Sequence, residues 1–493
     1  MIEQRSLRAA GSAMVWRLVQ MGGVKLIYMV RLLVLAILLA PADFGLVAIA
    51  TSATGFLLGL TNFGLIPAVV QAKDMDHEKY AAAWTFDMSR SFVVAALTIL
   101  FAPLIADIFA EPRSVPVIRA LALRPLLESM MSIKVAALNR NLTFRPLAYL
   151  RIVEAIFNTI ISIALAKFVG VWALVLGPIG GALAMAIASY SLAPYRPRIS
   201  FNWNAVKPLM NFGGWILVTG LVAMAGSHGL RIAISRHLGA EGLGLYFLAA
   251  QLAYLPNEVA SEAVGAVAFP LFARLQNSVS QATRAFRALF SGLAAVLYPA
   301  CVLLIVLAPT LIHNVLGSEW DGTETVIRVL SLVVMVGIFG EVAVSVFKGF
   351  GQPYRITMLE VVQSTVTISL VWFLTSRVGL VGAALAWVPA ILLSQGLSAW
   401  FLLSILDQPF RGLLAPFMAV LTATMLCVVV ATIAIYFVPG VVGLIIAAAL
   451  GIMSTMAFLW FADYRYELGF ADDLALVFPQ FAAFLRSASI KNR

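Results

Sequence analysis

The amino-acid sequence predicts an all-α polytopic membrane protein of about fourteen transmembrane helices, and three observations carry that prediction. Of 493 residues, 62% are hydrophobic and only 11% are charged, where a soluble domain holds roughly 45–50% and 25%. The apolar residues fall in runs of about 20 or more, long enough to cross a hydrocarbon core of ~30 Å as helices. The segments between runs are short, and their cations are biased to one side. The same bias accounts for the formal net charge of +10 without a nucleic-acid partner.

The first run, residues 12–39, follows Arg8 and is too long for a cleaved leader. It holds Arg17, Lys25 and Arg31 with no acid among them. A charge in hydrocarbon costs at least ~2.5–3.5 kcal/mol, so these cations are expected to face water or protein. At about 100° per residue they span an arc of roughly 120° on one helix face. Pro41 ends this run, and residues 43–69 form the second. Spans three to six are 81–109, 116–138, 147–168 and 171–193, parted by Pro112, Pro146 and Gly170. After Pro194, the seventh and eighth, 205–235 and 242–273, flank Gly239. Then come 285–312, 323–346, 354–376 and 379–405, with Gly351 and Gly379 at turns. Beyond Pro409, 412–437 and 440–462 meet at Gly440. The tail mixes Phe, Leu and charge and is expected to lie on the inner surface as an amphipathic helix.

With the N-terminus inside, nineteen loop cations fall on the cytoplasmic side and four (Arg113, Lys167, Arg236, Arg377) outside. That asymmetry has the sense the positive-inside rule requires. Both termini are therefore expected in the cytoplasm. The spans themselves carry ten more cations, among them Arg90, Arg119, Arg124, Arg151, Arg231 and Arg328. They also carry acids, including Asp87, Glu128, Glu154, Glu258, Glu262, Glu341 and Glu360. So many charges need protein or water around them. Arg124 with Glu128 and Arg151 with Glu154 have pairing separations on a helix. Arg119 and Arg328 are expected to anchor at an interface. Catalysis has little support: four histidines and two cysteines form no metal-ligand spacing, and no P-loop exists.

The two halves echo each other. LAPADFGLVAIA at 39–50 matches LGAEGLGLYFLA at 238–249, and VIRALAL at 117–123 matches VIRVLSL at 326–332. Corresponding helices lie six spans apart, so the repeat is parallel, about an axis along the membrane normal. The expected organisation is a six-helix bundle over 1–200, its repeat over 201–406, two further spans over 407–462 and a tail over 463–493.

The PADFGL turn after the first span, its GLGLY echo after the seventh and the twelve-plus-two span count resemble the polysaccharide-transport branch of the MOP superfamily. These are Wzx-type flippases, related to MATE exporters and lipid II flippases. The resemblance implies two bundles around a central cavity and export of an undecaprenyl-diphosphate-linked oligosaccharide. It also implies hand-over to polysaccharide polymerase machinery. Relatives often place an acid before the basic residue of the seventh span; here Leu230 precedes Arg231. The diphosphate is the part of such a cargo that is costly to bury, and a cluster of cations offsets that cost. Arg17, Lys25 and Arg31 from the first half, Arg231 from the second and, more weakly, Arg90 are the candidate contacts. Glu258 and Glu262, four apart on one helix face, are candidates for coupling to an H+ or Na+ gradient; no cofactor is expected. Two alternatives stay open: lipid II or drug export on the same fold, and a membrane polysaccharide polymerase or ligase.

Overall fold

The computed structural model describes residues 22–61, 69, 76–140, 144–202 and 214–466. Every regular element among them is helical. The chain divides into two compact units, Met1–Phe247 and Leu248–Arg493. Eleven described helices are long and apolar enough to cross a membrane. The count differs from fourteen at three places, each with a local cause. The first span is described only from its later part, as α1 (Val24–Leu38). The fourth is interrupted. The seventh and eighth run together as one element.

Unit 1 begins with α1. It ends at Leu39 in extended backbone, and Pro41 opens α2 (Pro41–Leu60). Proline suits the first helical turn, where its missing N–H costs nothing, and it holds the preceding residue out of the α region. The long α3 (His77–Ile108) starts at Asp76, whose side chain accepts the Lys79 N–H at 2.7 Å. A continuous span over 116–138 is not what forms. The segment breaks into α4 (Ser114–Leu121), α5 (Leu123–Ser129) and α6 (Val135–Arg140). Pro125 has no N–H for the Leu121 carbonyl, which weakens the helix where α4 gives way to α5. Between α5 and α6, Ser132 leaves the helical pattern and bonds elsewhere. Its N–H donates to Ser189 Oγ at 2.9 Å and its hydroxyl to the Ala193 carbonyl at 2.7 Å.

Two tightly packed helices, α7 (Phe144–Val169) and α8 (Val171–Leu192), complete the bundle. They turn at Gly170, whose φ of 57° suits glycine. Gly177 and Gly181 of α8 face α7. A Cβ on Gly177 would come within 2.8 Å of the Asn158 carbonyl oxygen, and one on Gly181 equally near that of Glu154. Small residues four apart allow this close approach of two backbones in a membrane. The same turn recurs later: Gly379, at φ 68°, joins α12 (Pro353–Val378) to α13 (Leu380–Leu385). The repeated VIR segments also fold alike. Val117, Ile118, Val326 and Ile327 are buried while Arg119 and Arg328 are exposed.

The helical element α9 (Gly214–Arg274) is two helices meeting at Gly239, where φ is 69° and ψ −171°. This is the turn expected between the seventh and eighth spans. In unit 2, α10 (Val279–Leu311) is the central helix, buried along much of its length. Against it pack α11 (Thr323–Gly349) and α15 (Leu414–Phe437), and α14 (Trp387–Leu403) packs on α11 through Phe347 and Phe401. Phe286, Phe290, Phe339 and Phe417 form the aromatic centre, with Phe290 and Phe417 centroids 5.9 Å apart. The last helix, α16 (Val441–Tyr466), lies on α15 through small residues including Ala447 and Gly451. Cys301 and Cys427 are buried free thiols. Large apolar side chains such as Leu100, Phe168 and Tyr436 are exposed on the helices, as lipid-facing surfaces require.

Candidate functional site

The cation-bearing faces of unit 1 separate into three places, and the structure shows what holds Arg31, Arg231 and Arg90. Arg31 projects from α1 onto α7. Its Nη1 donates to Asn158 Oδ1 at 2.6 Å, and its guanidinium lies 5.3 Å from the centre of the Tyr28 ring. Tyr28 in turn reaches Glu154 and Asn158. Glu154 lies 3.6 Å from Arg124 Nη2 and 3.8 Å from Arg151 Nη1, and Arg124 Nε donates to Glu128 at 2.8 Å. The two helix pairings read from sequence are therefore present, joined by Glu154 into one network. Asn158 and Glu154 are buried, 2% and 4% exposed, because Gly177 and Gly181 draw α8 over them. Arg31 Nε is buried without a hydrogen-bond partner.

Arg231 sits differently. The face of α2 that runs through Ser52, Phe56 and Gly59 lies along α9 before its break. Arg231 Nη1 donates to Ser52 Oγ at 2.8 Å. The Phe56 and His228 rings meet edge-on at 5.7 Å, and a Cβ on Gly59 would overlap Met224. Among the described residues no carboxylate pairs with Arg231. His228 Nδ1, one helical turn away, is buried with no partner. A guanidinium carries five N–H donors, and Ser52 takes one of them. The remaining donors on a half-buried helix face fit an oxyanion.

Arg90, on α3, is already satisfied. Its guanidinium pairs with Asp87 at 2.8 Å and reaches Thr61 Oγ1 at 3.4 Å. Lys25 is half-buried on α1, about 120° around the helix from Arg31 by residue spacing. Arg17 lies outside the described residues. The structure gives Arg31 and Arg231 separate partners, on α7 and α2 respectively.

Glu258 is exposed on α9, and the side chain of Glu262 lies outside the described set. Spacing on one helix missed a different pair of acids in unit 2. Glu341 of α11 lies close enough to Glu360 of α12 for their charges to interact, and Asn257 Nδ2 donates to Glu341 at 3.5 Å. The available signal was the repeat, which aligns Glu360 with Glu154. Between α3 and α4, Glu111 and Arg113 form a two-bond pair at 2.7 and 2.9 Å, which holds the Glu111 carboxyl below the usual carboxylate range.

The chain resembles known proteins in sequence and in fold. The family model described as "Polysaccharide biosynthesis protein" matches residues 34–324. Over 320 residues the chain is 24% identical to the lipopolysaccharide biosynthesis protein WzxC of Escherichia coli (strain K12), a match covering 64% of each. It is 25% identical to the succinoglycan biosynthesis transport protein ExoT of Rhizobium meliloti (strain 1021), over 65% of each. The chain thus spans just under two thirds of the length of these relatives. The fold is similar to that of the lipid II flippase MurJ in its inward closed conformation. The TM-score is 0.69 at 13% identity, covering 92% of this chain and 99% of that one. A multidrug resistance MATE family transporter of the MOP superfamily, inward-facing, gives 0.60 at 14% identity, covering 77% and 94%. At such identities the likeness establishes the fold, which is the MOP-type helical architecture that the sequence predicts.

Proposed function

The chain belongs to the polysaccharide biosynthesis protein family, and on that premise we propose that it is a flippase for undecaprenyl-diphosphate-linked oligosaccharide. It would carry the polar part of that lipid across a bacterial inner membrane, through protein, while the tail stays in the bilayer. Export of the sugar unit then feeds polysaccharide polymerisation. The supporting observation is Arg231: an intramembrane guanidinium, half-buried, with a serine hydroxyl as its partner and unused donors beside a buried histidine. Such a charge is costly to keep, and an anionic cargo offsets that cost each time it binds. Lys25 and Arg17 on the first span are further contacts in this reading. Arg31 and Arg90, held by Asn158 and Asp87, are weaker ones. Energy enters through an H+ or Na+ gradient at the acids of α9, Glu258 and Glu262, or through steps that consume the product.

The test is complementation in a strain whose polysaccharide export depends on this chain. Arg231→Ala is expected to abolish export at normal membrane abundance, with lipid-linked oligosaccharide accumulating on the cytoplasmic side. Arg231→Lys should restore part of it, because lysine offers a point charge without the fork. Full export by Arg231→Ala overturns the assignment of the diphosphate contact.

A further inference from the structure

The two copies of the repeated twelve-residue motif, 39–50 and 238–249, touch each other. A Cβ on Gly45 would overlap the Ala240 carbonyl oxygen, and a Cβ on Gly244 would overlap that of Pro41. The motif offset of 199 residues carries Pro41 onto Ala240 and Gly45 onto Gly244. The contact is therefore reciprocal: in each copy the glycine receives the carbonyl four residues before the other copy's glycine. This is the pattern of an interface about a local two-fold axis. Neither glycine can gain a side chain without parting the backbones.

The crossing is held from one side by the turn between α3 and α4. Ser235 Oγ donates to the Phe109 carbonyl at 2.7 Å, and Arg236 Nε donates to that of Ile108 at 2.7 Å. Glu111 accepts the Ala240 N–H. Beyond the crossing α2 is tightly sealed: Ala48 and Ile49 are fully buried. The loop charges assign this end of the helices to the outside of the membrane.

We propose that this glycine crossing is the outer closure of the transport path, a seam where two copies of one motif seal on each other and part to release cargo. Bare backbone suits a seam that must open repeatedly. It seals without interlocking side chains, so parting breaks few specific contacts. The Ser235, Arg236 and Glu111 bonds hold it shut between cycles. The inference rests on the transport reading above, and its test has a readout that does not need transport.

The test is thiol labelling in intact cells with a membrane-impermeant maleimide. The reporter chain carries Ala48→Cys in a background of Cys301→Ala and Cys427→Ala. A control chain carries Ala173→Cys in the same background, because Ala173 is buried in α8. With both glycines present, the thiol of the Ala48→Cys chain is expected to react slowly. Adding Gly45→Leu or Gly244→Leu should raise its rate by about fivefold or more, the effect of tipping an opening equilibrium by one modest interaction. The control thiol should not change. The same leucine variants should lose export. Fast labelling of the reporter with the glycines intact, no rise in the leucine variants, or a rise with normal export each overturns the proposal. Should a leucine variant expose both reporter and control thiols through unfolding, Ser235→Ala with Arg236→Gln decides. That pair loosens the hold without adding volume, so a rise in the reporter alone supports the seam and no rise refutes it. Failure of Arg231→Ala to stop export would sink the cargo site while leaving the labelling result to stand.

Discussion

Arg31 and Asn158 offer a measurement that separates structure from cargo binding. The bond between them is 2.6 Å long, from a cation to a side chain only 2% exposed. A hydrogen bond to a charged group contributes about 1.5–3 kcal/mol. Asn158→Leu keeps the volume and removes the acceptor, leaving Arg31 with both Nε and Nη1 short of partners. The expected loss is therefore about 2–3 kcal/mol in unfolding free energy. Arg31→Met removes the charge and leaves Asn158 its contacts with Tyr28 and Ser162, at a smaller cost. The double variant replaces a polar pair by an apolar one, which is often nearly neutral. Its loss should fall short of the sum of the single losses by about 1–3 kcal/mol. Denaturant titration of the four proteins in detergent micelles gives the coupling, and complementation gives export. If Arg31 serves only to dock α1 on α7, the stable double variant exports normally; if it also binds cargo, it does not. Additivity within about 0.5 kcal/mol would show that the pair does not interact and refute the reasoning.

Gly177→Leu should destabilise unit 1 by about 1–3 kcal/mol or more, because the new side chain has no room against α7; a thermal melt in micelles reads it. Glu111 gives a pH signature. Arg113 lowers its folded pKa, so the stabilisation is complete above the unfolded carboxyl value of ~4.3 and is lost as pH falls through the lower folded value. Melting temperature should fall more steeply for the unsubstituted chain than for Glu111→Gln as pH drops from about 5 to 3. The difference is worth at most about 1 kcal/mol, because Arg113 is exposed. Parallel slopes would remove the pair from the account. Gly239→Ala puts a Cβ at φ 69° and ψ −171°, a region open essentially to glycine alone, and should cost about 1–3 kcal/mol, read by the same melt.

The spans were legible because length and apolar character are one-dimensional properties. Gly170, Gly239, Gly351, Gly379 and Gly440 all stand where turns are expected, each with positive φ. The fourth span was misread because hydropathy does not register that Ser132 gives its hydrogen bonds to Ser189 and Ala193 rather than to its own helix. At the site, the charges themselves were visible but their partners were not. Nothing in the order of residues tells that Arg31 will find Asn158, 127 positions on, while Arg231 finds Ser52. A helical wheel gives the direction of a side chain; the element that meets it is set by packing of distant segments. Glu341 and Glu360 escaped for the same reason, sitting on neighbouring helices rather than one turn apart.

The break at Gly239 decides more than local geometry. Extended without interruption, Gly214–Arg274 would be a rod of 61 residues, ~90 Å long at 1.5 Å per residue, three times the thickness of the bilayer interior. No membrane could hold it upright. One residue without a side chain folds that rod into two crossings and so fixes the parity of every crossing downstream. A chain that failed to bend there would thread its whole second half upside down.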